Sequence, residues 1–301
     1  MPRTKRVTFS VVLPTLNEGA MLAMTVDSIV AERCDADAGY EIIVVDDGSS
    51  DGSTASLKAQ RRPEVKVVSG GGLGVARARN LGASRARGEY VVFMDAHCRV
   101  SPGWLESFAD LLSVAEVGLA GPSFTKLETP LPRGCGMYWA DYTLDPCWFE
   151  PLDGEVYIVP LTTGACQAFR RDTFEALGRY DERFTRWGFE DVEMCLRAWL
   201  LGYHVAVHPA VTIAHFFREE RDNYEVDDVA VTYNFLRMVY LHFSPTRIQK
   251  VLHAAAGNPY ITPAQELLAE SDVFDVRARM LSRRVRDDNW FFQEVNGAIA
   301  G

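Results

Sequence analysis

Asp95 and His97 close the apolar run Tyr90–Met94 as Asp95-Ala96-His97, and they are the residues here best placed to do chemistry. Side chains two apart on an extended backbone share a face. A carboxylate and an imidazole so placed can hold one divalent cation. A cation at the C-terminal edge of a strand sits where an open α/β sheet binds a phosphorylated ligand. The competing reading is structural, with Asp95 capping a turn and His97 an ordinary surface residue. Two other apolar runs end in polar residues. Phe9–Pro14 leads into Thr15, Asn17 and Glu18, and Glu41–Val45 leads into Asp46 and Asp47. Carboxylates there can accept hydrogen bonds from a base N–H or ribose hydroxyls. Asn17, Asp51 and Ser53 are equally good helix caps, and Asp47-Gly48 is a turn signal.

The elements that must position these residues follow from the pattern. Strands are expected at Phe9–Pro14, Glu41–Val45, Val65–Val68 and Tyr90–Met94, with helices over about 18–32, 53–60 and 75–87. Alternating strands and helices imply βαβ units and a parallel sheet. Apolar runs without alternation imply strands covered on both faces. The strand ends then lie together along one edge. The middle of the chain is less regular. A strand is expected at Val117–Pro122 and another at Ala165–Arg170. Between them, 123–160 reads as a long loop region rich in aromatics and prolines. Asp172 is a cap for a helix ending near Gly178, Glu190–Leu201 is helical with Gly202 as its stop, and His204–Val207 is a last short strand.

From Asn223 the pattern turns helical, over roughly 226–243, 245–256, 262–270 and 273–286; Val229, Tyr233, Leu236 and Tyr240 show the spacing. The chain therefore divides into an α/β domain over 1–222 and a helical appendage over 223–301. Trp290, Phe291 and Phe292 dock that appendage or make a homodimer contact.

Bulk properties narrow the classes. The 301 residues carry a net charge of −10, which argues against nucleic acid and anionic membrane as general partners. A nucleotide's phosphates would need local neutralisation by a metal or a few arginines. No apolar core follows the basic start Met1–Arg6, and no stretch is long enough to span a membrane. The six cysteines form no C-x-x-C pair, which suggests reduced thiols in a cytoplasmic protein, with a Cys135–Cys147 disulfide left open. Gly70–Gly74 is neither a Rossmann fingerprint, which would follow the first strand, nor a phosphate loop, which would continue into Gly-Lys-Ser/Thr. It permits close backbone approach, and Arg77 and Arg79 follow on the next helix.

Taken in order, Pro14-Thr15-Leu16-Asn17-Glu18, Val44-Val45-Asp46-Asp47-Gly48-Ser49-Ser50-Asp51-Gly52-Ser53, Gly74-Val75-Ala76-Arg77-Ala78-Arg79-Asn80 and Asp95-Ala96-His97 resemble the signature of family-2 glycosyltransferases of GT-A fold. Trp187-Gly188-Phe189-Glu190-Asp191 is similar to the family's Glu-Asp segment. The resemblance covers about 7–220. It implies an α/β GT-A fold with a mostly parallel central sheet and transfer of a sugar from a nucleotide-sugar donor, usually a UDP-sugar. It implies that Thr15, Glu18, Asp47 and Arg79 hold the nucleotide, that Asp95 binds the metal bridging the phosphates, and that Asp191 is the base that deprotonates the acceptor. Trp187 and Glu190 fall on the acceptor side.

Two departures qualify it. Most family-2 members carry Asp-x-Asp. The Asp-x-His form resembles the polypeptide N-acetylgalactosaminyltransferases, whose third ligand is a later histidine. The segment His208–Arg218 is similar to theirs, and His215 is the matching position. Those enzymes retain anomeric configuration and carry Glu-Asn, whereas Asp191 supplies the carboxylate that inversion needs. Gly72 also replaces an asparagine common in the third motif. Asp95, His97 and His215 would give one oxygen and two nitrogens, a mixed set that favours Mn²⁺, with Mg²⁺ as the alternative. Asp191 has its own structural reading as a first-turn acid stabilised by the helix dipole. The expectation is a metal-dependent, inverting transferase. The rivals are a retaining enzyme of the N-acetylgalactosaminyl type and a nucleotide-sugar-binding protein without turnover. The acceptor, whether peptide, glycan or small molecule, is not written in the sequence; Tyr138, Trp139, Tyr142, Trp148 and Phe149 are either a platform for it or core.

Overall fold

The computed structural model describes residues 7–32, 39–129, 132–150, 156–218 and 225–297. Cys34 and the boundary at residues 222 and 223 lie outside them. The first half runs β1 (Val7–Thr15), α1 (Ala20–Ala31), β2 (Gly39–Asp46), α2 (Ser53–Ala59), β3 (Val65–Ser69), α3 (Val75–Arg85) and β4 (Tyr90–Met94). β3, β2, β1 and β4 lie side by side and parallel, in register from Phe9↔Tyr90 to Thr15↔Asp46. The uniform apolar runs have the expected cause. Val11, Leu13, Ile42, Val44, Val92 and Met94 face a core formed with α1, α2 and a later helix, α4 (Trp104–Ser113). Val12, Ile43, Val45, Val91 and Phe93 face the opposite core. β1, β2 and β4 are thus buried on both sides, so period-two alternation disappears, while β3 at the sheet edge stays half-exposed.

β5 (Cys98–Val100) precedes α4, and β6 (Val117–Lys126) follows it. The stretch read as loop holds short strands: β7 (Pro132–Gly134), β8 (Met137–Trp139), β9 (Pro146–Trp148) and β10 (Tyr157–Ile158). These are two- and three-residue pairings beside prolines, too short to leave a periodic signal. β11 (Cys166–Arg170) inserts antiparallel between β4 and β6 and leads into α5 (Arg171–Leu177) and α6 (Glu190–Leu200). β12 (His204–His215) is three times longer than the expected strand. It pairs in parallel with β6 on both sides of a register shift between His208 and Thr212. Pro209 falls in that irregularity; the strand bulges there and continues.

Three expected caps are corrected: the residue preceding α5 is Arg170, and Asp172 already lies in the first turn of the helix. The residue preceding α1 is Gly19, with no side-chain cap, while Asn17 sits at φ 54° and its Oδ1 accepts from Ser50 N. The cap position of α2 is Gly52 and Ser53 is already helical; Asp51 accepts from Ser53 N and from Gly19 N. Asn17 and Asp51 therefore tie the β1–α1 and β2–α2 loops to each other.

The C-terminal helices are α7 (Asp228–His242), α8 (Pro245–Ala254), α9 (Ile261–Ala269) and α10 (Val273–Arg283), then a short turn, Asp288–Trp290, that continues as a π-helical segment, Phe291–Asn296. They share one core with the sheet. Phe291 and Phe292 pack on Trp139 and Phe292 on Phe243, and the Asn296 amide bonds both the N–H and the carbonyl of Trp139. Trp139 is core. Cys98, Cys135, Cys147, Cys166 and Cys195 are free thiols. Among the described residues no helix is long and apolar enough to cross a membrane.

Candidate metal and nucleotide site

The C-terminal ends of β1, β2 and β4 meet the end of β12, which strand pairing delivers. β5 pairs antiparallel with β12 in the register His215↔Cys98, and Phe216 N donates to the carbonyl of His97. That register sets His215 beside His97, at the end of the β4 turn that begins with Asp95. The two Nε2 atoms are 3.1 Å apart, and Asp95 Oδ2 lies 3.5 Å from His215 Nε2 and 3.9 Å from His97 Nε2. Among the described residues these three form the one group of histidine, cysteine or acid side chains able to hold a metal.

The triangle fits a cation. Bonds of about 2.0–2.2 Å from a metal to imidazole nitrogen or carboxylate oxygen place neighbouring donors about 3 Å apart. Glu18 fixes the tautomer. Its carboxylate only accepts, so His97 Nδ1, 3.1 Å from Glu18 Oε2, carries the hydrogen, and the lone pair of Nε2 faces His215 and Asp95. Arg218 donates to the same Glu18 oxygen at 2.6 Å. The Thr15 hydroxyl at the end of β1 and His215 Nδ1 are among the buried polar atoms without a hydrogen-bond partner.

The charges are tuned together. Burial would raise the pKa of Asp95, but the His215 hydrogen bond and the charges of His97 and Arg79 outweigh it and hold the carboxyl down at about 2. Burial opposes protonation of His97, yet the Glu18 hydrogen bond and the Asp95 charge raise its pKa. Burial lowers that of His215 despite Asp95. One imidazole is thus biased toward the proton and the other against it.

The other expected residues stand in two groups. Asp47 folds the glycine segment: its carboxylate accepts from the N–H groups of Gly72, Leu73 and Gly74 at 3.0, 2.6 and 2.8 Å. Gly74 is at φ +83°, and a Cβ there would come within 2.9 Å of the Arg186 backbone, so only glycine lets the N-terminus of α3 approach the turn before α6. Arg79 is 2% exposed. Its guanidinium donates to Glu190 at 2.8 Å, to the carbonyl of Gly164 at 2.8 Å and to Asp95 at 3.4 Å. It ties the metal-capable group to α6 from within the protein. Glu190 is buried on Arg79 and Gly188 N; burial raises its pKa, against the pull of Arg79. Asp191, partly exposed, accepts from Gly164 N at 2.6 Å and from Val192 N at 2.8 Å. Trp187, 38% exposed, stands in the turn before them.

Sequence reasoning missed Gly164, whose N–H holds Asp191 and whose carbonyl holds Arg79. It also gave no role to Arg218, although that residue sits three positions after His215 in the segment that carried the resemblance. Gly164 has no sequence signal of its own.

Comparison with known proteins shows the family and the fold. Residues 10–178 match the family model described as glycosyl transferase family 2, and 157–221 match that described as the N-terminal domain of galactosyltransferase. Human polypeptide N-acetylgalactosaminyltransferase 15 is 32% identical over 221 residues, covering 66% of this chain and 34% of the relative. Polypeptide N-acetylgalactosaminyltransferase 11 of Xenopus tropicalis is 27% identical over 312 residues, 95% of this chain and 50% of the relative. The chain thus spans about a third to a half of the length of these relatives. Among solved structures, GalNAc-T7 with UDP, GalNAc and Mn²⁺ superposes with a TM-score of 0.83 at 21% identity, covering 97% of this chain and 57% of that one. S. aureus TarS 1-349 with UDP-GlcNAc superposes at 0.60 and 16% identity, covering 97% and 74%.

Proposed function

Because this chain belongs to glycosyl transferase family 2 and has a GT-A fold, we propose that it transfers a sugar from a nucleotide-sugar donor, a UDP-sugar in the first instance, with Mn²⁺ held by Asp95, His97 and His215. The observation that carries the reading is the convergence of those three donor sets at the strand ends, with Glu18 orienting His97 from behind. Mn²⁺ or Mg²⁺, when bound, supplies Lewis-acid neutralisation of the departing diphosphate.

The protein's own residues do the rest. Thr15 offers an unpartnered hydroxyl at the edge where a nucleotide would lie. Asp47 acts by shaping the Gly70–Gly74 loop whose backbone can approach the donor. Arg79 acts through Asp95 and Glu190 rather than by direct contact, because it is buried. Asp191 is the acceptor base: two backbone N–H groups fix its carboxylate while it remains partly exposed. A carboxylate base favours direct displacement and an inverted anomer. Retention is the competing outcome, which the resemblance to the polypeptide N-acetylgalactosaminyltransferases implies. The acceptor is a peptide, a glycan or a small molecule.

The test is a donor screen with Mn²⁺ and a panel of nucleotide sugars, read by thermal shift and release of nucleoside diphosphate. UDP at about 100 times its dissociation constant should stabilise by roughly 2.7 kcal/mol. A GDP or CDP response with none to UDP overturns the donor class. Binding without release of diphosphate in the presence of candidate acceptors supports a non-catalytic binding protein. With a productive donor in hand, Asp191→Asn should lower kcat by about 10²–10⁴ and leave UDP affinity unchanged. A near-wild-type rate with a retained product anomer moves the protein to the retaining class.

A further inference from the structure

The turn that carries Trp187 into Glu190 and Asp191 is built from uncommon backbone. Arg186, Gly188 and Phe189 all have positive φ, at 53°, 105° and 68°. Two of the three are not glycine, and such residues persist in the left-handed region only where their surroundings hold them. One side of the turn is held by α3, where Val75 N donates to the carbonyl of Arg186 at 2.8 Å. The other side is held by α7, and there one residue dominates.

Asn234 is 0% exposed. Its Oδ1 accepts from Thr185 N at 2.8 Å, and its Nδ2 lies 2.8, 3.2 and 3.0 Å from the carbonyl oxygens of Thr185, Trp187 and Gly188. A single amide thus uses donor and acceptor together on four backbone groups of Thr185, Trp187 and Gly188. Phe235, the next residue of α7, packs on Phe189 with ring centroids 5.4 Å apart. The helix does not depend on this amide for its place. Leu236, Met238 and Val239 are in the core, and Arg237 donates to Asp181 at 2.8 Å and pairs with Asp272 at 3.1 Å.

We infer that Asn234 is a positioning residue for the transfer reaction: through the turn 185–189 it sets where Trp187 and the Glu190–Asp191 pair stand relative to the metal-capable edge. The inference rests on the transferase reading. It makes α7, which lies outside the stretch that the family-2 model matches, part of the working machinery. An amide is the side chain the turn requires, because one N–H and three carbonyls must be met by one buried group of fixed shape. Asn234→Ala leaves all four unmatched. Asn234→Asp keeps the acceptor for Thr185 N–H and removes both donors.

The experiment compares wild type, Asn234→Ala and Asn234→Asp in the full chain. UDP affinity with Mn²⁺ is read by calorimetry, steady-state release of UDP from UDP-GalNAc and UDP-GlcNAc gives kcat and KM, and hydrogen exchange is followed over a peptide spanning 183–190. In Asn234→Ala, kcat should fall tenfold or more with UDP affinity and KM within threefold, and the Thr185 amide should exchange at least tenfold faster. Asn234→Asp should keep Thr185 protected and still lose turnover; it carries the comparison alone if Asn234→Ala does not fold. Wild-type kcat in both variants, or unchanged exchange in Asn234→Ala, overturns the inference. A fall in UDP affinity matching the fall in kcat overturns it too, since that marks general loosening of the site. If wild type neither binds UDP nor releases it, the transferase reading fails instead, and the exchange data still decide whether Asn234 holds the turn.

Discussion

Two clusters in this molecule use the same three residue types and end differently. At the strand ends, Glu18 bridges Arg218 and His97. Between α6 and α7, Glu193 bridges Arg197 and His242, with His242 Nε2 at 2.7 Å. Both carboxylates are buried, at 7% and 1% side-chain exposure. The second cluster closes on itself: Arg197 spends its remaining donors on the carbonyls of Leu177 and Arg179. The first opens outward, since its histidine turns a lone pair toward His215 and Asp95, and His215 Nδ1 and the Thr15 hydroxyl nearby are left without partners. Composition and burial do not separate a structural cluster from a working one. What separates them is whether several ligand-type atoms converge within reach of one another, as those of Asp95, His97 and His215 do.

The largest effect should come from the closed cluster. Glu193→Gln leaves Arg197 buried without its counter-charge, a kind of change that costs about 3–5 kcal/mol. Glu18→Gln, beside solvent-reachable groups, should cost far less; equal losses of melting temperature would break the comparison. The closed cluster also predicts acid sensitivity. Burial would raise the Glu193 pKa, but Arg197 and the His242 hydrogen bond hold it down at about 2, against 4.5 for a free glutamate. A depressed carboxyl contributes stability that is fully present above 4.5 and is lost as pH falls toward 2. Glu193→Gln should flatten the melting-temperature profile over that window.

Metal binding should depend on the open cluster alone. His97→Ala should weaken Mn²⁺ affinity, measured by calorimetry, by at least about 100-fold, beyond the roughly 10–100-fold that a supporting residue contributes. EDTA should remove the Mn²⁺-dependent response to UDP. His242→Gln should lower the melting temperature and leave Mn²⁺ affinity at the wild-type value. A metal effect from His242→Gln would mean that the two clusters are coupled through α6.

The open cluster was largely legible in the sequence, and the closed one was not. Strand ends advertise themselves, because an apolar run that stops at Asp-x-His states both the strand and the site. His215 needed the family resemblance, since the bulge at Pro209 hides the rest of β12 from a periodicity reading. Arg79 was legible as important and not as buried; nothing on α3 shows that its partners Glu190 and Gly164 arrive from 85 or more residues away. Glu193, Arg197, His242 and Asn234 are polar residues on helical faces whose meaning depends on which faces meet. The helices themselves were read to within three residues at either end, because α7 to α10 rest on local apolar spacing, whereas their contacts rest on tertiary packing that no local pattern encodes.

The smallest effect tests whether Glu18 works from behind the metal-capable group. Glu18 Oε2 lies 3.1 Å from His97 Nδ1, the ring nitrogen opposite the one that faces His215. As a carboxylate it fixes the Nδ1–H tautomer and makes Nε2 a better donor. Glu18→Gln keeps size and can still accept through its amide oxygen, so His97 should stay in place. What is lost is the negative charge behind the ring, and with Arg218 left beside it the local field turns positive. Mn²⁺ affinity should therefore fall by about 10–100-fold while the melting temperature of the metal-free protein moves little. Loss of Mn²⁺ binding as complete as in His97→Ala would make Glu18 a direct ligand. No change at all would leave His97 oriented by strand pairing alone, and the distinction between an open cluster with a supporting carboxylate and a closed one would then rest on His215 and Asp95.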